Sequence, residues 1–235
     1  RDDAGKFLKV YLDKGILKYD DFFEQETLPV SMAVIGLGVI GLDLGQALSQ
    51  LGVKVTGIDA LKNVAGLQDP DINRCAIELI QPSFPLILGE TAQLEKVGDL
   101  IRVTAGDHQF EVERVLVSIG RQSNIDKLGL ENIGVRLNDN GLPDYNINTM
   151  ALKDAPHIFL AGDVNTDVPI LHEAAYEGKI AGVNAGSGTS TAFKRYVDFQ
   201  ITFSEPNICQ VGPTLDKLDT DRIIIGKFAM GPHGR

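Results

Sequence analysis

Cysteine is scarce in this 235-residue chain, and no stretch of it is rich in lysine and arginine. Its two cysteines, Cys75 and Cys209, lie far apart, which leaves no CxxC pair, no metal-ligand spacing and no disulfide framework. Each reads as a small buried hydrophobe in a reducing cytoplasm. With a net charge of −10, neither nucleic acid nor an anionic membrane surface is an expected partner. No apolar run approaches the ~20 residues that a bilayer span needs, and no signal-like segment is read at the start. Internal repeats and low-complexity segments are also missing. What is present is 43% hydrophobic residues, enough to bury a sizeable core in one large or two modest domains.

Along the chain, residues 3–13 place Phe7, Leu8, Tyr11 and Leu12 at helical spacing, with Gly15 as a stop. Residues 20–29 read as a polar connection closed by Pro29. The pattern then becomes regular: a strand at 32–36, a helix at 39–51 ended by Gly52, a strand at 53–58 and a helix from Pro70 to about 80. Five β-like runs follow at 86–88, 92–97, 99–104, 109–113 and 115–119 and read as a β-meander over the βαβ unit. Residues 120–150 are loop-rich, with a turn at Asp139-Asn140-Gly141. Residues 158–161 predict a short strand, 170–184 a helix, 186–192 a small-residue linker, and 199–203, 208–211 and 222–229 further strands.

Gly36-Leu37-Gly38-Val39-Ile40-Gly41 is a G-x-G-x-x-G run between a strand and a helix, and Asp59 ends the next strand. In a dinucleotide site Gly36 permits the tight turn, Gly38 admits the pyrophosphate close to backbone, and Gly41 allows close helix–strand packing. The helix start offers free N–H groups and a partial positive charge to the phosphates. A carboxylate at Asp59 accepts from the ribose hydroxyls and repels a 2′-phosphate, favouring NAD over NADP, a preference that Lys62 softens.

Four stretches in order, 28–43 (LPVSMAVIGLGVIGLD), 116–124 (LVSIGRQSN), 156–178 (PHIFLAGDVNTDVPILHEAAYEG) and 201–214 (ITFSEPNICQVGPT), resemble the pyridine nucleotide–disulfide oxidoreductases. The resemblance implies an α/β fold: a Rossmann-like NAD domain with a β-meander, inserted in a partial FAD domain, plus the start of an α+β interface domain. It divides the chain into 1–29 (partial FAD domain), 30–119 (NAD domain), 120–190 (FAD-domain return) and 191–235 (interface domain). It further implies electron transfer between a small-molecule or lipoyl disulfide, FAD and NAD, in a homodimer. Gly36, Gly38, Gly41 and Asp59 then correspond to the NAD loop and ribose ligand, and Ile119, Gly120 and Arg121 to the segment beside the nicotinamide. Asp163 corresponds to an FAD ligand, and Ile170, Leu171 and His172 to backbone near the flavin ring. Alternatives stay open: Asp163 as a cap for the following helix, Arg121 as the partner of a surface carboxylate, His172 as a helix-surface residue.

The chain departs from the family pattern at Asp43, where a Glu is usual near the nicotinamide carboxamide. A second G-x-G-x-x-G and a C-x-x-x-x-C dithiol are not found, and the family's His-Glu acid/base pair would fall beyond Arg235. Residues 1–13 resemble a helix interior to the FAD domain, and the strands that follow it in the family are missing before Phe22. The chain therefore reads as part of a longer polypeptide, with a gap concealed near 14–20 and without turnover of its own. Related flavoproteins of the NADH oxidase, mercuric reductase or transhydrogenase type, and a non-catalytic NAD-binding module, are the competing readings.

Overall fold

A computed structural model describes residues 15–121, 123–125, 128–188 and 190–228. The helix expected over 3–13 lies outside them. The chain forms two compact units, one made of the chain through Ile119 together with that from Ile201 onward, the other of Gly120–Gln200.

The first unit runs β1 (Ile16–Leu17), α1 (Tyr19–Phe23), β2 (Ser31–Ile35), α2 (Val39–Gln50), β3 (Lys54–Asp59), α3 (Pro70–Ile80), β4 (Leu86–Leu88), β5 (Gln93–Val97), β6 (Leu100–Ala105), β7 (His108–Val112) and β8 (Arg114–Val117). Five of these strands form a parallel sheet in the order β1-β8-β2-β3-β4. The meander is smaller than the sequence suggested: only β5, β6 and β7 pair antiparallel, while β4 and β8 join the parallel sheet. The reason lies in their side chains. Val115, Leu116 and Val117 are all buried, as a strand covered on both faces requires, whereas β6 alternates buried and half-buried positions.

Both faces of the parallel sheet are covered. On one, Met32, Val34 and Leu116 pack with Leu42 and Leu48 of α2 and with Ala76 and Ile80 of α3. On the other, Ala33, Ile58, Val115 and Val117 pack with Ile101, Val103 and Ala105 of β6. Full burial of such a side chain contributes about 1.5–3 kcal/mol, so this three-layer arrangement dominates the stability of the unit. α3 starts at Pro70, and its cap Asp69 accepts from the N–H groups of Asp71 and Ile72. α2 ends at Gly52, whose φ of +89° suits glycine.

Two further expectations fail here. The polar connection over 20–29 begins inside α1, with Phe22 packed against the core. The strand expected over 222–229 is not formed by its described residues. A 3-10 turn occupies Thr220–Arg222, Ile224 is fully exposed, and no neighbouring strand pairs with 223–228.

In the second unit, Ile125, Val135, Leu152, Ala155 and Leu160 form a small core. The strand expected over 158–161 reduces to one bridge, Phe159 with Ala151, because no longer partner lies alongside. α4 spans Leu171–Ser187, and Gly188 ends it at φ +64°. The expected linker over 186–192 is partly helix and partly tethered, since Asn184 bonds Thr191 through both its donor and its acceptor. The chain from Ile201 onward, which belongs to the first unit, carries the end of β9 (Phe199–Thr202) and all of β10 (Ile208–Val211), which form a two-stranded sheet.

Candidate functional site

The glycines of the 36–41 loop are distinguished by what a side chain would meet. Gly36 has φ +92°, and a Cβ there would lie 2.6 Å from the Ser118 carbonyl oxygen. At Gly41 a Cβ would lie 1.8 Å from the Gly36 oxygen, so α2 approaches the loop only through glycine. Gly38 differs: its φ of −68° suits any residue, and a Cβ would meet nothing within 4 Å. No protein atom requires glycine there. Gly38 also caps α2, which has no side-chain cap and no acidic residue in its first turn. The arrangement leaves room and N–H donors for an anion, so the residues present fit a dinucleotide pyrophosphate.

Asp59 ends β3 with both carboxylate oxygens engaged by backbone. Oδ2 accepts from the Leu37 N–H at 2.6 Å and Oδ1 from the Leu61 N–H at 2.8 Å. A carboxylate has about four acceptor sites, so capacity for ribose hydroxyls remains. The exposed Lys62 packs its stem beside Gly89. Ser118, which the sequence reading passed over, donates to the Gly36 carbonyl at 2.7 Å and ties β8 to the loop. The nearby Ile119 is half-exposed.

Asp43, one turn into α2, lines a cavity of about 450 Å³ with Gln46, Gln50, Phe203, Glu205 and Asn207. Burial pushes its carboxyl above the usual range. Gln46 spans this cavity's wall, accepting from the Glu205 N–H at 2.6 Å and donating to the Glu205 carbonyl and to Ser83, both at 3.0 Å. A Gln in an amphipathic helix carries no signal of such a role.

In the second unit, Arg121 contacts one other expected position, Asp163, and the Pro169 carbonyl. Its Nη1 meets Asp163 Oδ2 at 2.7 Å and its Nη2 donates to the Pro169 carbonyl at 2.7 Å. Gly120 precedes it at φ +114°. Asp163 does not cap α4. It opens a 3-10 turn, Asp163–Asn165, after Gly162 at φ +83°, and Ile170 holds the cap position of α4. Leu171 is 86% exposed, so it is not a core residue. His172 donates from Nε2 to the Phe199 carbonyl at 2.9 Å, with the two rings 5.6 Å apart. The half-exposed Asp163 carboxylate and the uncapped start of α4 suit the hydroxyl and phosphate groups of a flavin dinucleotide.

Beneath that turn lies a buried cluster that the sequence did not reveal. Arg195 donates to Glu173 Oε2 at 2.8 Å and to Glu177 Oε1 at 3.0 Å. Glu177 Oε2 accepts from the Gly162 N–H and from Asn165 Nδ2, both at 2.7 Å. Tyr145 is close in charge terms: burial first, then Asp167 and Glu177, push its phenol up to about 12, against Arg195.

Both cysteines are exposed free thiols, not the buried hydrophobes expected. Cys75 sits on the outer face of α3, whose inner face is Ala76 and Ile80, and β10 buries none of its residues. Among the described residues no His/Cys/Asp/Glu group is arranged to hold a metal, and no helix is long and apolar enough to cross a membrane.

The family described as pyridine nucleotide-disulphide oxidoreductase matches residues 9–178. A dihydrolipoyl dehydrogenase of Bacillus subtilis (strain 168) is 30% identical over 237 residues, covering 94% of this chain and 48% of that protein. One from Buchnera aphidicola subsp. Acyrthosiphon pisum is 31% identical over 198 residues, covering 82% of this chain and 41% of that protein. The chain thus spans about half the length of the curated relatives it matches. Among solved structures, LpdA of Mycobacterium tuberculosis is similar with a TM-score of 0.73 at 25% identity, over 85% of this chain and 44% of that one. The HOCl-induced flavoprotein disulfide reductase RclA of Escherichia coli shares the fold with a TM-score of 0.75 at 20% identity, over 86% of this chain and 47% of that one.

Proposed function

The chain belongs to the pyridine nucleotide-disulphide oxidoreductase family, and from that membership we propose that it forms the NAD-binding part and one portion of the flavin-binding part of a dihydrolipoyl dehydrogenase-like enzyme. In this reading residues 1–29 and 120–190 belong to the FAD domain, 30–119 to the NAD domain and 191–235 to the interface domain of a homodimer. When bound, FAD and NAD supply the two-electron chemistry that links a small-molecule or lipoyl disulfide to the nicotinamide.

The residues divide the work as follows. Gly36 and Gly41 hold the loop closed, Gly38 leaves the phosphate space, and the first N–H groups of α2 receive the phosphates. Asp59 orients the ribose while it fixes the loop. Ile119, Gly120 and Arg121 border the nicotinamide. Asp163 holds the ribityl and pyrophosphate region of FAD, with Ile170, Leu171 and His172 close to the flavin ring. The unpaired exposed thiols accord with a reducing cytoplasm.

The observation that carries this reading is the empty space at Gly38, at a helix start where nothing in the protein demands glycine. Calorimetric titration of the chain with NADH and with NADPH tests it. Saturable binding that favours NADH is expected, and no binding of either overturns it.

A further inference from the structure

We propose that Glu177 is a positioning residue: it sets the Gly162–Asn165 turn so that Asp163 is presented to a flavin dinucleotide. The inference rests on the reading of Asp163 as a flavin ligand. A single oxygen, Glu177 Oε2, accepts from the Gly162 N–H and from Asn165 Nδ2, each at 2.7 Å, so one atom grips the residues on both sides of Asp163. Asn165 carries the grip onward by accepting from the Asp167 N–H at 2.9 Å. The other oxygen of Glu177 is fixed by Arg195 at 3.0 Å, and Arg195 is fixed in turn by Glu173 at 2.8 Å.

This cluster is expensive. Glu177 is 1% exposed, Glu173 4%, and Arg195 Nη1 is buried without a partner. Apolar residues would pack α4 at lower cost, because buried ion pairs seldom repay their desolvation. What the cluster provides is a turn with two of its donors, the Gly162 N–H and Asn165 Nδ2, directed at one buried oxygen, leaving the Asp163 carboxylate outside it and half-exposed. Glu173 touches Arg195 but has no bond to the turn, so it serves as an internal control.

The test uses the 235-residue chain and reads FAD affinity by quenching of flavin fluorescence, together with amide exchange at Gly162. Glu177→Gln retains the size of the side chain, but its amide cannot accept from the turn and from Arg195 together. Exchange at Gly162 is expected to quicken at least tenfold and FAD affinity to fall about tenfold. Asn165→Ala, which leaves the buried ion pairs intact, is expected to weaken FAD about fivefold. Glu173→Gln is expected to lower the melting temperature while FAD affinity stays within twofold. Unchanged exchange at Gly162 in Glu177→Gln overturns the proposal whether or not FAD binds. Weakening of FAD by Glu173→Gln as large as that by Glu177→Gln also overturns it. A parent chain that takes up no FAD refutes instead the reading that this portion of the flavin-binding part holds FAD by itself, and exchange at Gly162 then decides the positioning role.

Discussion

Replacing Asp59 separates two ways in which an acid at the end of β3 governs cofactor choice. If the carboxylate acts only on the ribose, Asp59→Ser relieves repulsion of the 2′-phosphate and NADPH gains affinity. The structure predicts otherwise, because both oxygens are already bonded to backbone N–H groups, those of Leu37 at 2.6 Å and Leu61 at 2.8 Å. Hydrogen bonds to a charged group are each worth about 1.5–3 kcal/mol, with the lower end fitting the exposed Leu61 contact. Leu37 itself is fully buried, so its N–H has no ready substitute partner. Asp59→Ala is therefore expected to cost about 3 kcal/mol before any cofactor is added. At about 2–4 °C per kcal/mol for a chain of this size, that lowers the melting temperature by about 6–12 °C. Asp59→Asn keeps one acceptor and falls between the two. NADH binding should drop in all three variants, while NADPH gains no more than about threefold in Asp59→Ser, since the phosphate loop itself is loosened. Calorimetric titration with both nucleotides and thermal melts of the four proteins make the comparison. A melting point for Asp59→Ala within 1 °C of the parent would refute the reasoning, as would a tenfold gain for NADPH in Asp59→Ser.

Gly38→Ala should leave urea stability within about 1 kcal/mol, since its cap position tolerates Ala at modest cost, yet weaken NADH at least tenfold. Gly41→Ala should instead cost 3 kcal/mol or more, because its methyl has no room beside the Gly36 oxygen. Equal effects of the two on stability would contradict the assignment. The Tyr145 phenol, pushed up to about 12, stays protonated longer in the folded chain than the ordinary value near 10 allows. Its contribution is complete below pH 10 and is lost as pH rises through 10 to 12, about 1 kcal/mol after solvent screening. Denaturant melts at pH 9 and 11.5, set against Tyr145→Phe, read that loss; an identical slope in both proteins excludes it. Finally, the chain with added FAD, NADH and lipoamide should show no lipoamide-dependent NADH oxidation above a Cys75→Ser/Cys209→Ser control. Its free thiols form no vicinal dithiol to exchange with a disulfide, and steady oxidation would mean a redox centre elsewhere.

The parts legible in the sequence were those whose cause is local. The β2–loop–α2–β3 unit announces itself through consecutive apolar residues, three spaced glycines and a terminal acid, and α3 through Asp69-Pro70. Sheet membership was harder, since β4 and β8 look like meander strands until their parallel pairing with β3 and β2 is seen. Residues 158–161 and 222–229 have the composition of strands, but pairing needs a neighbour that composition cannot supply. Arg195 was invisible for a related reason. The basic pair Lys194-Arg195 after a small-residue stretch reads as solvated, and only the return of the chain past α4 buries Arg195 between two glutamates. Asp59 shows the opposite case: its position was legible, while its bonds to Leu37 and Leu61 depend on loop geometry.

The strand order β1-β8-β2-β3-β4 also bears on how the chain comes off the ribosome. β8 lies between β1 and β2, yet roughly eighty residues separate it from the end of β2. At ~5–20 residues per second, synthesis takes roughly 4–16 s to deliver it. Throughout that interval one edge of β2, with its apolar Met32-Ala33-Val34, has no strand beside it and offers a template for pairing with another nascent chain. A polypeptide truncated before Arg114 should therefore aggregate during translation instead of yielding a smaller soluble nucleotide-binding unit.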